Sequence, residues 1–375
     1  MDSIDGRDAT GRPLAIAIVA STRHPIREPF AGGLEAHTHL LARSLRRRGH
    51  EISVFASDDS DPELGYEPIC APSRTLELSD AAQADTSMPD ARFLEEHHAY
   101  LTLMLELRAR HFDVIHNNSL HYLPVAMADA LPAPVVTTLH TPPTPWLESA
   151  FLARRATPSA GRFVAVSHAT ARAWKQTLDA AVIHNGVDVD LWRPSTESRV
   201  RRAAWSGRLV PEKGPHHAID AALEAGLPID LAGPVGDREY FRREIAPRLG
   251  PEVRHVGHLG RAELTALIGR SAVFIFSPCW EEPFGLVLGE ALACGTPVAA
   301  WRRGAVEELI DSSCGRVAQP GDVSGLAVAA RAAADEVSST RCRASAVERL
   351  ASERMVDQYE QLYRRLARAP EPAVA

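Results

Sequence analysis

The sequence predicts an α/β protein made of two Rossmann-like domains, and three observations carry that prediction. Its 375 residues exceed what one hydrophobic core organises, since single cores stop growing at roughly 250–300 residues. Short apolar runs rich in β-branched residues alternate with longer helical patterns, the signature of βαβ units around a parallel sheet. The alternation restarts near residue 200, after the polar stretch DLWRPSTESRVRR, whose proline and charges suit a linker.

In chain order the first-half runs are LAIAIVAS (14–21), EISVFAS (51–57), DVIHNN (113–118), PVVTTLH (134–140), FVAVSH (163–168) and AVIHNG (181–186). The second half has RAAWSGRL (202–209), PIDLAGP (228–234), VRHVGH (253–258), AVFIFSP (272–278) and PVAAW (297–301). Continuous rather than alternating apolar character is expected of strands covered on both faces. The division is a flexible tail over 1–13, a first domain over 14–194 and a second over 195–351. Residues 58–90, rich in Asp, Pro and Ser, read as a long irregular loop. The last helical pattern, 352–368, carries Met355, Val356, Tyr359, Leu362, Tyr363 and Leu366 at spacings of three and four. That is one apolar stripe, which must pack on something.

Composition narrows the function. Hydrophobic residues at 45% and charged residues at 24% describe an ordinary soluble protein. The net charge of -7 argues against nucleic acid as a partner. The five cysteines are scattered and never form C-x-x-C, which disfavours a disulfide framework or a zinc site. The N-terminus MDSIDGRDATGRP is polar and acidic, unlike a signal peptide, and LAIAIVA is too short to span a bilayer. The expected address is the cytoplasm. Among 41 basic residues only Lys175 and Lys213 are lysines, and Asn117, Asn118 and Asn185 are the only asparagines. That bias, with abundant Ala, Arg and Pro, resembles a GC-rich bacterial genome, so a surviving Lys or Asn draws attention.

Four stretches carry candidate chemistry. In CWEEPFGLVLGEALACGTPVAA (279–300), Glu282 and Glu290 flank a strand-to-helix turn containing Gly285, and Gly295 closes the helix. Such a turn offers free backbone N–H groups and the positive end of the helix dipole, a ready anion site. Were the whole stretch helical, the two glutamates would stand roughly 12 Å apart along the axis, too far for the roughly 5–9.5 Å of a glycosidase pair. The spacing suits two ends of one ligand, but spacing alone leaves two surface glutamates equally open. In SGRLVPEKGPHHAIDAA (206–222), Arg208 and Lys213 share a strand-to-helix turn flanked by Gly207 and Gly214, a fork and a point charge suited to a diphosphate.

The third stretch, EPFAGGLEAH (28–37), places Gly32 and Gly33 at a helix start without the G-x-G-x-x-G of a dinucleotide site. The Arg46–Arg48 run further on reads as the solvated C-terminal end of that helix; an anionic membrane contact is its other reading, and nothing else points to one. In the fourth, VVTTLHTPPTPW (135–146), His140 ends a strand, where ligands of open α/β sheets collect. HNGVDVDLW (184–192) reads as a structural turn with Asn185-Gly186.

Taken together these segments resemble the retaining, nucleotide-sugar-dependent glycosyltransferases of family four. The resemblance runs over nearly the whole chain, through AGGLEAH, VSHAT, HNGVD, GRLVPEKG, AGP, VGHL, EEPFGLVLGEALACGTPVAA, RRGAVEEL and CGRVAQPGD. Its most specific part is the E-x(7)-E motif met by Glu282 and Glu290. It implies the GT-B fold, two Rossmann-like domains facing each other across a deep cleft, with the last helix crossing back to the first domain.

It also implies roles. Arg208 and Lys213 would hold the donor diphosphate, Glu282 the transferred sugar and Glu290 the ribose. Phe284, Gly285, Leu286 and Val287 would offer backbone amides. Gly32 and Gly33 would close on the donor, His140 would stand near the reacting sugar, and His258 and Leu259 would border the base. The expected reaction moves a hexose from a UDP- or GDP-sugar to a hydroxyl-bearing acceptor, without a metal or other cofactor; the D-x-D at Asp188–Asp190 lies in the interdomain turn. Two other readings are a nucleotide-sugar epimerase and a non-catalytic nucleotide-sugar-binding protein on the same fold. The chain departs from the pattern in the long stretch TRHPIREPF before Gly32. It departs again in RRGAVEEL, where Gly304 and Glu308 are the equivalents of the relatives' glycine and glutamate.

Overall fold

The computed structural model describes residues 11–83, 90–153 and 162–368. They form two parallel sheets with helices on both faces of each. The first sheet holds β1 (Ala15–Val19), β2 (Glu51–Ala56), β3 (Tyr66–Pro68), β4 (Val114–Asn117), β5 (Val135–Leu139), β6 (Arg162–Ala165) and β7 (Ala181–Val182), in the spatial order β3-β2-β1-β4-β5-β6-β7. The second holds β8 (Val200–Ser206), β9 (Ile229–Ala232), β10 (Val253–His255), β11 (Ser271–Phe276), β12 (Val298–Trp301) and β13 (Gly315–Ala318), ordered β10-β9-β8-β11-β12-β13. In each sheet the chain winds outward one way from its first strand and then starts again on the other side. That reversal opens a crevice between β1 and β4, and another between β8 and β11.

All eleven runs named in the sequence contain strands, and two strands were not anticipated. β3 lies inside the segment expected to be an irregular loop; it is three residues of Tyr-Glu-Pro at a sheet edge. At an edge a proline is tolerated, and three residues carry no periodic signal. β13 is also an edge strand, Gly-Arg-Val-Ala, whose glycine and arginine interrupt the apolar run that would announce it.

Central strands are apolar because both their faces are covered. Ile16 and Ile18 of β1 pack on one side with the helix Gly33–Arg47, while Ala17 and Val19 face the helix Ala91–Leu107. The last helix, Ser352–Ala367, follows the second domain in sequence but buries Met355, Val356, Tyr359, Leu362, Tyr363 and Leu366 in the core of the first. The chain therefore crosses between domains twice. The crossings run side by side, with Val187 N donating to Leu350 O (2.7 Å) and Ser352 N to Val187 O (2.9 Å).

This helix also explains the Arg46–Arg48 run differently from its sequence reading as a solvated helix end. Arg48 pairs with Glu353, with Asp357 at 2.7 Å and with Glu360 at 3.0 Å, and Arg46 donates to Ile52 O at 2.9 Å and Leu64 O at 2.6 Å. Arg48 thus turns to three carboxylates of the returning helix, while Arg46 satisfies backbone carbonyls of its own domain. Most of the expected tail 1–13 lies outside the described residues. Its end is pinned: Arg12 donates to Asp113 Oδ2 at 3.0 Å, and Arg364 donates to Arg12 O at 3.0 Å.

The returning helix is locked by a buried polar chain. Tyr363 OH meets His116 Nδ1 at 2.6 Å, His116 Nε2 meets Thr138 Oγ1 at 2.7 Å, and Thr138 meets Tyr359 OH at 2.9 Å. Tyr363→Phe keeps the ring and orphans a buried histidine nitrogen. The expected cost is about 1–3 kcal/mol, read as a lower urea midpoint at unchanged slope.

Candidate active site

The carboxyl ends of the two sheets face each other across one cleft, so the β1/β4 and β8/β11 crevices open into the same space. A cavity of about 430 Å³ lies there. Gly32, Gly33, His140, Arg208, Lys213, His258, Leu259, Glu282, Phe284, Gly285, Leu286, Val287 and Glu290 all line it. The structure thus brings together the residues to which the sequence assigned sugar, diphosphate, ribose and base contacts, while Gly304 and Glu308 lie outside the lining.

The second-domain wall consists of loops after adjacent strands, joined backbone to backbone. The turn after β8 forms a short 3-10 segment, Pro211–Lys213, and leaves it through Gly214 at φ 62°. The loop after β11 lies against it. Ser277 Oγ donates to Gly214 O (2.8 Å) and Cys279 N to Glu212 O (2.8 Å). A Cβ on Gly214 would sit 2.1 Å from Ser277 O, so only glycine permits this approach.

Across that seam Lys213 Nζ lies 2.6 Å from Glu282 Oε2, which also accepts from Trp280 Nε1 at 2.8 Å. The Lys213 ammonium stands 5.2 Å from the centre of the Trp280 ring, a cation–π contact that adds to its fixation. Arg208 is held more loosely, 4.0 Å from Glu212, and remains available to an anion.

The loop continues into the helix Leu286–Ala293, which starts after Gly285. With Phe284–Val287 in the cavity wall, the N-terminal turn of this helix, with its unsatisfied N–H groups, borders the cavity beside Arg208 and Lys213. Glu290 sits on the last turn of the same helix. Burial pushes its carboxyl up to about 7, against the opposing pull of Arg261.

The first-domain wall carries Arg23, Glu28, Glu35 and Arg43 and, deeper, a group of histidines. The helix Gly33–Arg47 starts in the cleft, and a Cβ on Gly33 would come within 3.2 Å of Leu286 Cδ1 from the other domain. At the end of β5, His140 Nε2 lies 2.9 Å from Asn118 Oδ1. An amide oxygen only accepts, so Nε2 carries the proton and Nδ1 is left as an acceptor. Burial, with His37 and His116 beside it, drives His140 well below the usual histidine range, so the ring is neutral.

Two side chains not singled out as site residues share this wall. His37 is 1% exposed, with a pKa lowered to about 4 by burial. Its ring stands 4.9 Å from that of His140, and neither of its nitrogens has a hydrogen-bond partner. Asn185, read from sequence as a turn residue, lines the cavity with an unpartnered Oδ1. The scarcity of asparagine was the available signal for Asn185. For His37 it was the four-residue spacing from Gly33, which returns it to the same helix face. Trp280 stood beside the motif but carries no spacing rule.

VSHAT, HNGVD and RRGAVEEL meet at a domain seam beside the cavity, which Val166 and Asn185–Asp188 line and RRGAVEEL does not. Ser167 Oγ and Thr170 Oγ1 donate to Pro283 O at 2.6 and 3.1 Å. Glu308 accepts from the amides of His168 (2.8 Å) and Ala169 (2.7 Å) and contacts His184 Nε2 at 2.9 Å. Burial works against its charge, but these hydrogen bonds outweigh it and hold the carboxyl below its usual range. His168, His184 and Glu308 are the one group among the described residues with metal-ligand spacing. The carboxylate is already committed to the helix start, and its role is to clamp the domains.

The geometry is matched by kinship. The family model described as Glycosyltransferase Family 4 matches residues 31–191, and that described as Glycosyl transferases group 1 matches residues 193–346. The chain belongs to the family-4 glycosyltransferases. Glycogen synthase of Mycobacterium tuberculosis is 28% identical over 369 residues, covering 86% of this chain and 87% of that protein. Phosphatidyl-myo-inositol mannosyltransferase of Propionibacterium freudenreichii is 28% identical over 328 residues, covering 83% and 84%. Among solved structures, Anabaena HepE in complex with UDP and glucose superposes with a TM-score of 0.71 at 19% identity, covering 93% of this chain and 99% of that one. The fold of this glycosyltransferase is therefore GT-B. Among the described residues no helix is long and apolar enough to cross a membrane.

Gly304 of RRGAVEEL also acquires a role. It sits at φ 58° with its would-be Cβ 2.0 Å from Glu282 O, and its N–H donates to Glu281 Oε2 at 2.8 Å. Gly304→Ala should displace the Glu282 backbone and reduce turnover by about 100-fold, while far-ultraviolet circular dichroism stays native.

Proposed function

We propose that this glycosyltransferase moves a hexose from a UDP- or GDP-sugar to a hydroxyl of an acceptor with retention of configuration and without a metal. The observation that carries the reading is the Lys213–Glu282 pair, set beside Arg208 and the start of the helix Leu286–Ala293, facing His140. Breaking the anomeric bond builds negative charge on the departing diphosphate and positive charge on the sugar. Lys213, Arg208 and the helix N-terminus are placed to stabilise the first, a preorganised electrostatic arrangement. Glu282, once its ammonium partner turns to the phosphate, can accept sugar hydroxyls. His140 Nδ1 can accept another from the first domain. Retention without an enzyme nucleophile follows if the leaving phosphate takes the acceptor's proton on the face from which it departs. A UDP-bound relative fold is compatible with the donor class.

The first test is a thermal-shift screen against UDP, GDP, ADP and their hexose conjugates, with and without EDTA. A ligand bound only by the native state raises the melting temperature by mass action. A shift with UDP or GDP that EDTA leaves intact is the expected result; a shift that requires magnesium would overturn metal independence. Lys213→Ala and Glu282→Ala should each reduce kcat/KM by at least about 100-fold in a native fold, and full activity in both would sink the assignment.

Glu290 adds a pH signature. Its folded-state pKa of about 7 lies above the ordinary carboxylate value, so the free protein holds a proton that ribose hydroxyls would displace. Affinity for the nucleotide should rise by about tenfold from pH 6 to pH 8. In Glu290→Gln that rise should flatten, as read by calorimetric titration at both pH values.

A further inference from the structure

Beside the cleft the first domain carries an array of aromatic rings that the transfer chemistry does not use. It climbs from the core to the surface. Tyr100, 1% exposed, stacks on His121 at 4.2 Å, and His121 stacks on Tyr122 at 5.1 Å. Tyr122 stacks on His97 at 6.0 Å, and His97 on Phe93 at 6.3 Å. Trp146 stands across the row, nearly perpendicular to Phe93, Tyr122 and His121, with centroids 5.1, 5.1 and 5.6 Å away. Phe93 and Trp146, at 37% and 36%, are the two exposed aromatic side chains among the exposed large hydrophobics of the described residues. An exposed aromatic patch braced from below is an interaction site rather than leftover core.

Two features of the page say what sits on it. The first is continuity with the cleft. Leu120 lines the cavity and leads directly into His121 and Tyr122; His140 and Thr141 line it and lead into the helix Pro145–Ala153, whose first turn holds Trp146. The second is chemistry. The array is aromatic and its inner histidine is neutral: burial lowers His121 to about 4, with His97 adding to the effect, and His121 Nδ1 accepts from Leu123 N at 3.2 Å. A pyranose ring has an apolar C–H face that stacks on indole or phenyl, with C–H···π contacts, and a rim of hydroxyls suited to histidine and tyrosine. An anionic lipid surface would call for a basic cluster, and neither helix carries one: Ala91–Leu107 sets Arg92 against Glu95, Glu96 and Glu106, and Pro145–Ala153 holds Glu148 with no lysine or arginine.

We propose that Trp146, Phe93 and Tyr122 form an acceptor platform that holds a sugar ring of a neutral saccharide acceptor while a neighbouring unit reaches His140 in the cleft. The proposal rests on the glycosyl-transfer reading and narrows the acceptor to a carbohydrate longer than one residue.

The test labels the 6 tryptophans with 5-fluorotryptophan and follows their fluorine NMR signals. The Trp146 signal is assigned by its loss in Trp146→Phe. Maltohexaose, mannohexaose and xylohexaose are titrated separately, alongside phosphatidylglycerol vesicles. At least one hexasaccharide should shift the Trp146 signal, and calorimetry should show at least about a tenfold loss of its affinity in Trp146→Ala and in Phe93→Ala. The UDP- or GDP-induced thermal shift should be unchanged in both variants, which also verifies their folding. The proposal is overturned if no hexasaccharide moves the signal, if binding survives both substitutions, or if the vesicles move it instead. Saccharide binding at Trp146 in a protein without any nucleotide response would support the platform while removing the transferase reading. A nucleotide response with a silent Trp146 would do the reverse.

Discussion

The contact on which the cleft depends is the one between the turn after β8 and the loop after β11. These strands are neighbours in space but separated by two βα units in sequence, so their exit loops meet only because the sheet reverses direction between them. Backbone atoms make the join, through Gly214 O and Cys279 N, and everything charged is hung from it. Lys213 and Glu282 come from the two sides of the seam, and Gly304 wedges the third loop against Glu282. A pair of partly exposed side chains, 21% and 12%, contributes little net stability, because desolvation offsets attraction. Its value is that it can be exchanged. In the proposed reaction a diphosphate would take the place of the carboxylate at Lys213, and sugar hydroxyls would hydrogen-bond the Glu282 carboxylate in place of the ammonium.

Holding two such walls at a working distance is a separate problem, met by contacts distant in sequence. The twin crossing at Val187 and Leu350–Ser352 ties the domains at one point, and the returning helix Ser352–Ala367 makes the first core depend on the end of the chain. Ser167, Thr170 and Glu308 form a second tie beside the Phe284 turn. Because Pro283 O is the acceptor at that tie, the donor-side loop is fixed to both domains. A movement of one domain against the other would be felt at Glu282 first.

Much of this was legible in the sequence, and the exceptions have physical causes. The central strands announced themselves because both faces are buried, and most site residues because they sit where a strand ends and a helix begins; Glu290, on the last turn of its helix, was legible only through its spacing from Glu282. β3 and β13 were silent because short edge strands need neither length nor continuous apolar character. The seam was invisible for a different reason. VSHAT and RRGAVEEL are recognisable strings, but that Glu308 caps the helix beginning at His168 is a relation between residues 140 apart in sequence, with no local periodicity to betray it. The Arg46–Arg48 run misled in the same way, since its partners Glu353 and Glu360 lie some 300 positions downstream.

Lys213, Arg208 and a helix N-terminus gather positive potential on the side of the second domain, where the proposed reaction sheds a diphosphate. Behind the facing wall three buried rings are neutral: His140, His37 and His116 crowd one another, and each lowers the proton affinity of its neighbour or has its own lowered by burial. A cationic imidazole beside the sugar would oppose the positive charge that develops as the anomeric bond breaks. Packing three histidines together where none can hold a second proton removes that opposition while keeping ring nitrogens for hydroxyls. The same burial that makes His37 a poor base leaves its nitrogens without partners, and an unpartnered buried polar group at a cleft wall is one that a ligand can satisfy. The neutrality of these rings thus follows from how deeply the chain buries histidine.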